Sequence, residues 1–389
     1  MYNSTAGYNV AVGHNAGTAL TTGSQNTLMG TACGVTLTTG SDNVAVGYGS
    51  MKFQTTASGN TFVGYEAGNL CTTGSSNTFL GWRTGDAVTT AFENTFVGHN
   101  SGSSVTIGNS NTAVGRQSMP TLTTGTGNVV MGSDAMELAT TGAYNVAIGT
   151  NALGDITTAS YNTAVGWGAG SENTTNSAST YIGGNAGGRV AGSQNTALGY
   201  NALKGDVAAA SAYYNVAIGV DAAENITTGH SNVFIGWRAA LDVSTGSNLI
   251  VIGKSATPSS NTGSDEVTLG NSSISTLRCN TQTISSLSDG RDKTEVEDLP
   301  LGLDFIDTLR PVKFKWDTRD GNGKDGTYDA GFIAQDLQSA QSTSDAEYLK
   351  MVMDSNPDRL EAAYGQLIPV LVQAIKDLKS EIETLKSNA

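Results

Sequence analysis

Asn43-Val44-Ala45-Val46-Gly47, Asn60-Thr61-Phe62-Val63-Gly64 and Asn77-Thr78-Phe79-Leu80-Gly81 are successive copies of one five-residue phrase, each starting 17 residues after the last. Outward from there the phrase recurs sixteen times between Asn9 and Gly270, with one step of 16 residues and one of 20. A fixed period this short describes a solenoid, in which each coil buries its apolar face only against its neighbours. At roughly 4.8 Å per stacked coil, sixteen coils extend about 75 Å.

Numbering each phrase from zero gives the coil its roles. Position one is Val, Thr or Ile and position three is always apolar, as in Val44 and Val46. Two same-facing apolar positions mark a short β-strand with one buried face. Position two is small or aromatic in most coils (Ala11, Phe62, Phe79, Phe96, Tyr181, Phe234). The opposite face is therefore also apolar, and a strand apolar on both faces is usually covered on both. One face is expected to fill the coil and the other to meet a neighbouring subunit. Position four is always Gly, as a positive φ or a close backbone approach would require. Position seven is small (Ala16, Cys33, Ser50, Ala67), suggesting a tight inner corner. A second apolar position at eleven (Leu20, Leu37, Val88, Val105) predicts a second strand, hence a flattened two-strand coil. Asn fills position zero in thirteen copies, where stacked amides could hydrogen-bond from coil to coil.

Composition splits the chain of 389 residues. Residues 1–287 carry 14 acidic and 8 basic side chains, and residues 288–389 carry 20 and 12. The expected organisation is a repetitive β-roll over 1–280, a linker over 281–287 and a charged domain over 288–389. Strict placement of apolar residues argues against a disordered Gly/Ser-rich linker for the first part. The net charge of −14 argues against a nucleic-acid partner, which would need clustered Lys and Arg. No apolar run spans a bilayer, so no membrane insertion is expected, and no signal peptide opens the chain. Cys33, Cys71 and Cys279 are widely separated and lack metal-ligand spacing; Cys33 and Cys71 read as small buried hydrophobes. No metal or cofactor is expected.

The rod phrase resembles the repeats of trimeric autotransporter adhesin heads and of phage fibre β-rolls, which implies a parallel homotrimer of left-handed rolls. A sharper resemblance follows. Ser288-Asp289-Gly290-Arg291-Asp292-Lys293, Gly302-Leu303-Asp304-Phe305-Ile306, Leu309-Arg310-Pro311-Val312-Lys313-Phe314-Lys315-Trp316 and Gly331-Phe332-Ile333-Ala334-Gln335-Asp336 precede a terminal helix that begins near Tyr364. This order is similar to the endosialidase-type intramolecular chaperone, a self-cleaving domain at the end of many phage tail spikes and fibres. The resemblance implies a small α+β domain with Ser288 as nucleophile and Lys293 as base, Arg291 orienting the loop or Asp289.

Chemistry supports the pairing on its own terms. A serine hydroxyl needs a base, and a lysine can serve once burial lowers its pKa. Ser288 and Lys293 could meet if Gly290 turns the chain; local spacing alone favours a polar capping turn, and the surrounding resemblance reverses that preference. Attack on the Leu287 carbonyl closes a five-membered ring, whereas attack on the Ser288 carbonyl closes a strained four-membered one. In-chain chemistry thus favours the Leu287–Ser288 bond, while the resemblance points to the Ser288–Asp289 bond, attacked across subunits.

Ile368, Leu371, Ile375, Leu378, Ile382 and Leu385 alternate by three and four, which predicts a coiled-coil seam within residues 364–387. It would bring copies of the chain together and fix their register. On the rod, position five holds Tyr48, Tyr65, Trp82 and His99 in four successive coils, with Trp167, Tyr200 and Trp237 farther along. Stacked on one edge they would form an aromatic ladder, a candidate glycan-binding strip or a packing surface between subunits. Arg83 and Glu66 suit a surface pair.

The expected function is a virion tail fibre that binds a host cell-surface glycan or protein receptor and joins another virion tail protein at its N-terminal end. Self-cleavage would be its single enzymatic act. It would be made in the host cytoplasm, carried on the virion and extracellular after release. The alternatives are a tail spike depolymerising host polysaccharide and a bacterial trimeric adhesin head.

Overall fold

The computed structural model describes residues 7–206, 211–274, 276–278, 288–317, 325–354, 356–358 and 360–388. The chain folds as two compact units, Met1–Gly270 and Asn271–Ala389. The expected linker at 281–287 lies outside the described residues.

The first unit is a parallel β-solenoid. Sixteen three-residue strands, β1 (Val10–Val12) to β16 (Val267–Leu269), form one sheet in sequence order. Each residue pairs with its counterpart one coil on, as Phe62 pairs with Phe79 and Phe79 with Phe96. One expectation is resolved here and one is corrected. The residue that fills the coil is position two, fully buried at Leu28, Ala45, Phe62, Phe79, Phe96 and Val130. Positions one and three face outward, leaving Val10, Val12, Met29, Leu80, Val129, Met131 and Leu198 exposed. Position eleven is buried as expected at Leu20, Leu37, Val88 and Val105, but its backbone forms no second strand. Coil-to-coil hydrogen bonds hold that corner instead: Thr38 N donates to Thr55 O at 2.9 Å, and Thr38 Oγ1 donates to the same carbonyl at 3.0 Å.

In most coils volume is balanced between position two and position eight. Where position two is aromatic, position eight is usually Gly: Phe62 faces Gly68, Phe79 Gly85, Phe96 Gly102 and Tyr181 Gly187. A Cβ at Gly68 would lie 2.4 Å from Phe62 Cε2. Where position two is small, position eight is often long, as in Ala45 with Met51, Ala113 with Met119 and Ala147 with Leu153. Position eight is left-handed either way, with φ of +58° at Met51. Holding a non-glycine residue there costs about 1–2 kcal/mol, while burying a Met contributes about 1.5–3 kcal/mol. Burial therefore wins where there is room, and glycine wins where a ring already fills the space. The rings themselves stack, with Phe62–Phe79 centroids 4.5 Å apart and Phe79–Phe96 5.0 Å.

Position-four glycine has two causes at once. Gly64 sits at φ +146°, and a Cβ there would lie 2.0 Å from the Gly81 carbonyl oxygen. The Asn column is equally specific. Asn77 donates from its backbone N (2.8 Å) and from Nδ2 (3.2 Å) to Asn60 Oδ1, and from Nδ2 to Ala91 O at 2.9 Å. Each buried amide is thus satisfied by the adjacent coil and its own far corner. At the last coil Glu266 replaces Asn, and its carboxylate accepts from Ser259 N at 3.0 Å and Ser259 Oγ at 2.6 Å. Cys33 and Cys71 lie in the core, where burial pushes their thiols up to about 11 and about 12.

The second unit is a small α+β body. Helix α1 (Leu303–Thr308) and the N-terminal part of α3 (Leu367–Ser387) pack together with α2 (Ala334–Thr343) around Phe305, Leu337, Leu349, Leu367 and Val370. Two antiparallel pairs complete it: β17 (Val312–Lys315) with β18 (Tyr328–Gly331), and β19 (Val352–Met353) with β20 (Glu361–Ala362). Asp377 of α3 caps α1, its Oδ2 accepting from Leu303 N at 3.0 Å. A Cβ at Gly302 would stand only 1.8 Å from that oxygen, so glycine permits the approach.

Candidate active site

Ser288 through Lys293 form a single tight turn. A 3₁₀ helix spans Gly290–Asp292, with Asp289 as its N-cap and Lys293 as its extended C-cap. Asp289 Oδ1 accepts from Arg291 N at 2.9 Å, and the Arg291 guanidinium returns to the same carboxylate, with Nη2 to Oδ2 at 2.6 Å. These hydrogen bonds hold the Asp289 carboxyl below the usual carboxylate range and raise the Arg291 guanidinium further. A charged donor on an N-cap carboxylate is the stronger kind of hydrogen bond, so Arg291 acts by bracing the cap.

The turn brings Lys293 back to Ser288. Lys293 Nζ lies 2.6 Å from Ser288 Oγ and 3.3 Å from the Ser288 carbonyl oxygen. As an ammonium it donates to both. As the free amine it could accept the Oγ proton and still donate to the carbonyl, the geometry a nucleophile–base pair requires. Capping turn and dyad coexist in one loop, divided between Asp289–Arg291 and Ser288–Lys293. The chain turns through Gly290 as expected, but nothing there requires glycine: a Cβ would meet nothing within 4 Å, and its φ is not left-handed. The Asp289 cap makes the turn. Leu287 lies outside the described residues.

Ser288, Asp289, Arg291 and Lys293 are all exposed in the single chain. A lysine becomes a base by losing its proton, and removal from water is what favours that loss. The contact is therefore made in a loop open to solvent in the single chain.

The other sequence-derived candidates divide between the two units. Ile368, Leu371, Ile375, Leu378, Ile382 and Leu385 are exposed along α3, while Leu367, Val370 and Ala374 on the same helix are buried. The helix thus has one apolar face inside its unit and a second facing water. Tyr48, Tyr65, Trp82 and His99 stack as a ladder, with centroid steps of 5.3, 6.2 and 4.6 Å. Arg83 pairs with Asp86 at 2.7 Å more closely than with Glu66 at 3.6 Å. Asp86, three residues on in the same coil, was missed as a partner, and the i,i+3 spacing was the signal for it.

Residues 288–345 match the family described as chaperone of endosialidase. The match opens at Ser288, while α3 lies beyond it. No curated protein and no solved structure matches the chain. A β-solenoid of 17-residue coils followed by a domain that matches this family fits a tail-fibre-like protein with a C-terminal chaperone domain.

Proposed function

We propose that the chain is one protomer of a homotrimeric phage tail fibre that binds a host receptor along its rod. Its C-terminal domain aligns three chains and then separates from them by a single cut beside Ser288. The observation that carries this reading is the 2.6 Å contact between Lys293 Nζ and Ser288 Oγ at the first residues of the chaperone match. Two exposed apolar surfaces fit the assembly, namely the outward strand positions of the roll and the α3 seam. Monomers rarely leave such large apolar patches uncovered.

Assembly also fits the exposure of the dyad. A neighbouring chain covering the loop would exclude water and favour the free amine of Lys293. Lys293 would take the Oγ proton as Oγ attacks a carbonyl carbon. In-chain attack on the carbonyl of residue 287 gives an ester and a free amine at Ser288, and water then hydrolyses the ester. Cleavage tied to assembly would occur only after alignment is complete. The aligning domain then leaves, and unfolding must proceed without the nucleus, which slows it.

Intact mass of the purified protein tests this. Wild-type chains are expected as two fragments, with Ser288→Ala and Lys293→Ala uncut. Normal fragments from either variant would remove the dyad. The fragment masses also state which side of Ser288 is cut.

A further inference from the structure

The position-five aromatics fall into two kinds, and only one offers a ring face to a ligand. In the ladder, Tyr65 lies between Tyr48 and Trp82, and Trp82 between Tyr65 and His99, at interplanar angles of 10° to 13°. The inner rings spend both faces on each other and show solvent their edges. A sugar is held by stacking its C–H face on the electron-rich face of a ring, so the ladder is poorly suited to it. Its rings glue adjacent coils together.

Farther along, the column is interrupted. Trp167 and Tyr200 occupy position five in coils two apart, and Gly184 stands between them. No aromatic ring stacks on either among the described residues, and they are 60% and 52% exposed. Two coils separate their roots by about 9.6 Å. One ring held between two others needs roughly 7–8 Å, twice the optimal carbon–carbon separation. Tyr200 leans toward the gap, its Cδ2 3.2 Å from where a Cβ of Gly184 would stand. At Gly168, next to Trp167 in the chain, the place a Cβ would take lies 2.8 Å from Asn185 Oδ1, so the Asn185 amide fills that position.

Polar groups border the same spot. Asn185 Nδ2 lies 3.5 Å from Asn201 Oδ1, and Asn201 Nδ2 donates to Asp221 Oδ1 at 3.2 Å and Glu224 Oε1 at 3.3 Å. Amides of this kind pair with adjacent hydroxyls; Glu224 is paired with Lys204 Nζ at 3.1 Å, and Asp221 leaves the edge net acidic, which disfavours an anionic ligand. We infer that the depression between Trp167 and Tyr200 is a subsite for a neutral pyranose unit of a glycan, stacked on the exposed tryptophan face and hydrogen-bonded along the Asn185–Asn201 edge. The inference rests on the receptor-binding reading above and supplies its ligand class.

A printed array of neutral and acidic bacterial surface glycans, probed with the assembled protein, tests it. The expected result is retention of a neutral glycan. Its affinity should fall roughly tenfold or more in Trp167→Ala, which removes the wall, and in Gly184→Tyr, which closes the gap with a ring. In Gly184→Tyr the exposed Tyr200 ring shifts by a few tenths of an ångström and the stack is extended, so its melting temperature should not drop, which separates lost binding from lost folding. Trp82→Ala should bind as wild type. Undiminished binding in both Trp167→Ala and Gly184→Tyr, or loss confined to Trp82→Ala, overturns the subsite and leaves receptor binding standing. Retention of no glycan at all overturns the subsite and counts against the receptor reading, which adsorption to host cells then decides.

Discussion

The roll and the C-terminal unit hold themselves together on opposite principles. In the roll, the recurring bonds stay within a coil or reach the adjacent one, as in the Asn60–Asn77 and Thr38–Thr55 contacts. In the C-terminal unit, Leu303 N reaches Asp377 across 74 positions and Phe332 N reaches Tyr364 Oη across 32. Repetition gives the roll stability coil by coil but makes neighbouring registers nearly alike, since Phe62, Phe79 and Phe96 could exchange places with little loss. The C-terminal contacts have no second solution. Information about alignment is thus concentrated in the part of the molecule that the dyad would remove.

The sharpest break of this contrast is a pair of alanine substitutions. Gly64→Ala puts a Cβ against the Gly81 carbonyl at a φ that only glycine tolerates, and should destabilise the roll by at least about 4 kcal/mol in denaturant unfolding. Gly290→Ala meets open space and should change stability by no more than about 0.5 kcal/mol and leave cleavage intact. A smaller effect tests the volume balance within a coil. Phe79→Ala should cost about 3 kcal/mol, and adding Gly85→Met should restore roughly 1 kcal/mol or more, because Ala45 with Met51 is the same solution elsewhere. If the second change makes matters worse, the reciprocity is accidental.

The smallest expected effect is a gain. Asn173 sits at buried position eleven with neither amide atom hydrogen-bonded, between Ile156 and Val190 of the adjacent coils. Asn173→Val should raise stability by about 1–3 kcal/mol, readable as a higher denaturation midpoint.

The period, the position-four glycine and the Asn column were legible because repetition displays one constraint many times. The inward face was not, because positions one, two and three are all apolar and alternation alone cannot rank them. The deciding signal was available six residues away: Phe62 with Gly68 and Ala45 with Met51 trade volume, which only core partners do. The second strand was misread because burial at position eleven looks the same whether the backbone is extended or turned. At the candidate site, the spacing of Ser288 and Lys293 was readable and their contact follows from the Asp289 cap. Their exposure was not, because it depends on what surrounds the loop. The aromatic ladder was visible as a column, but the rings covering one another's faces required the stacking geometry.

The central claim is that the C-terminal unit, and not the roll, directs assembly. The most direct measurement is the native mass of a chain ending at Leu287, made without residues 288–389, beside that of the full chain. The account predicts a discrete trimer from the full chain and no discrete trimer from the shortened one. A uniform trimer of the shortened chain would contradict it.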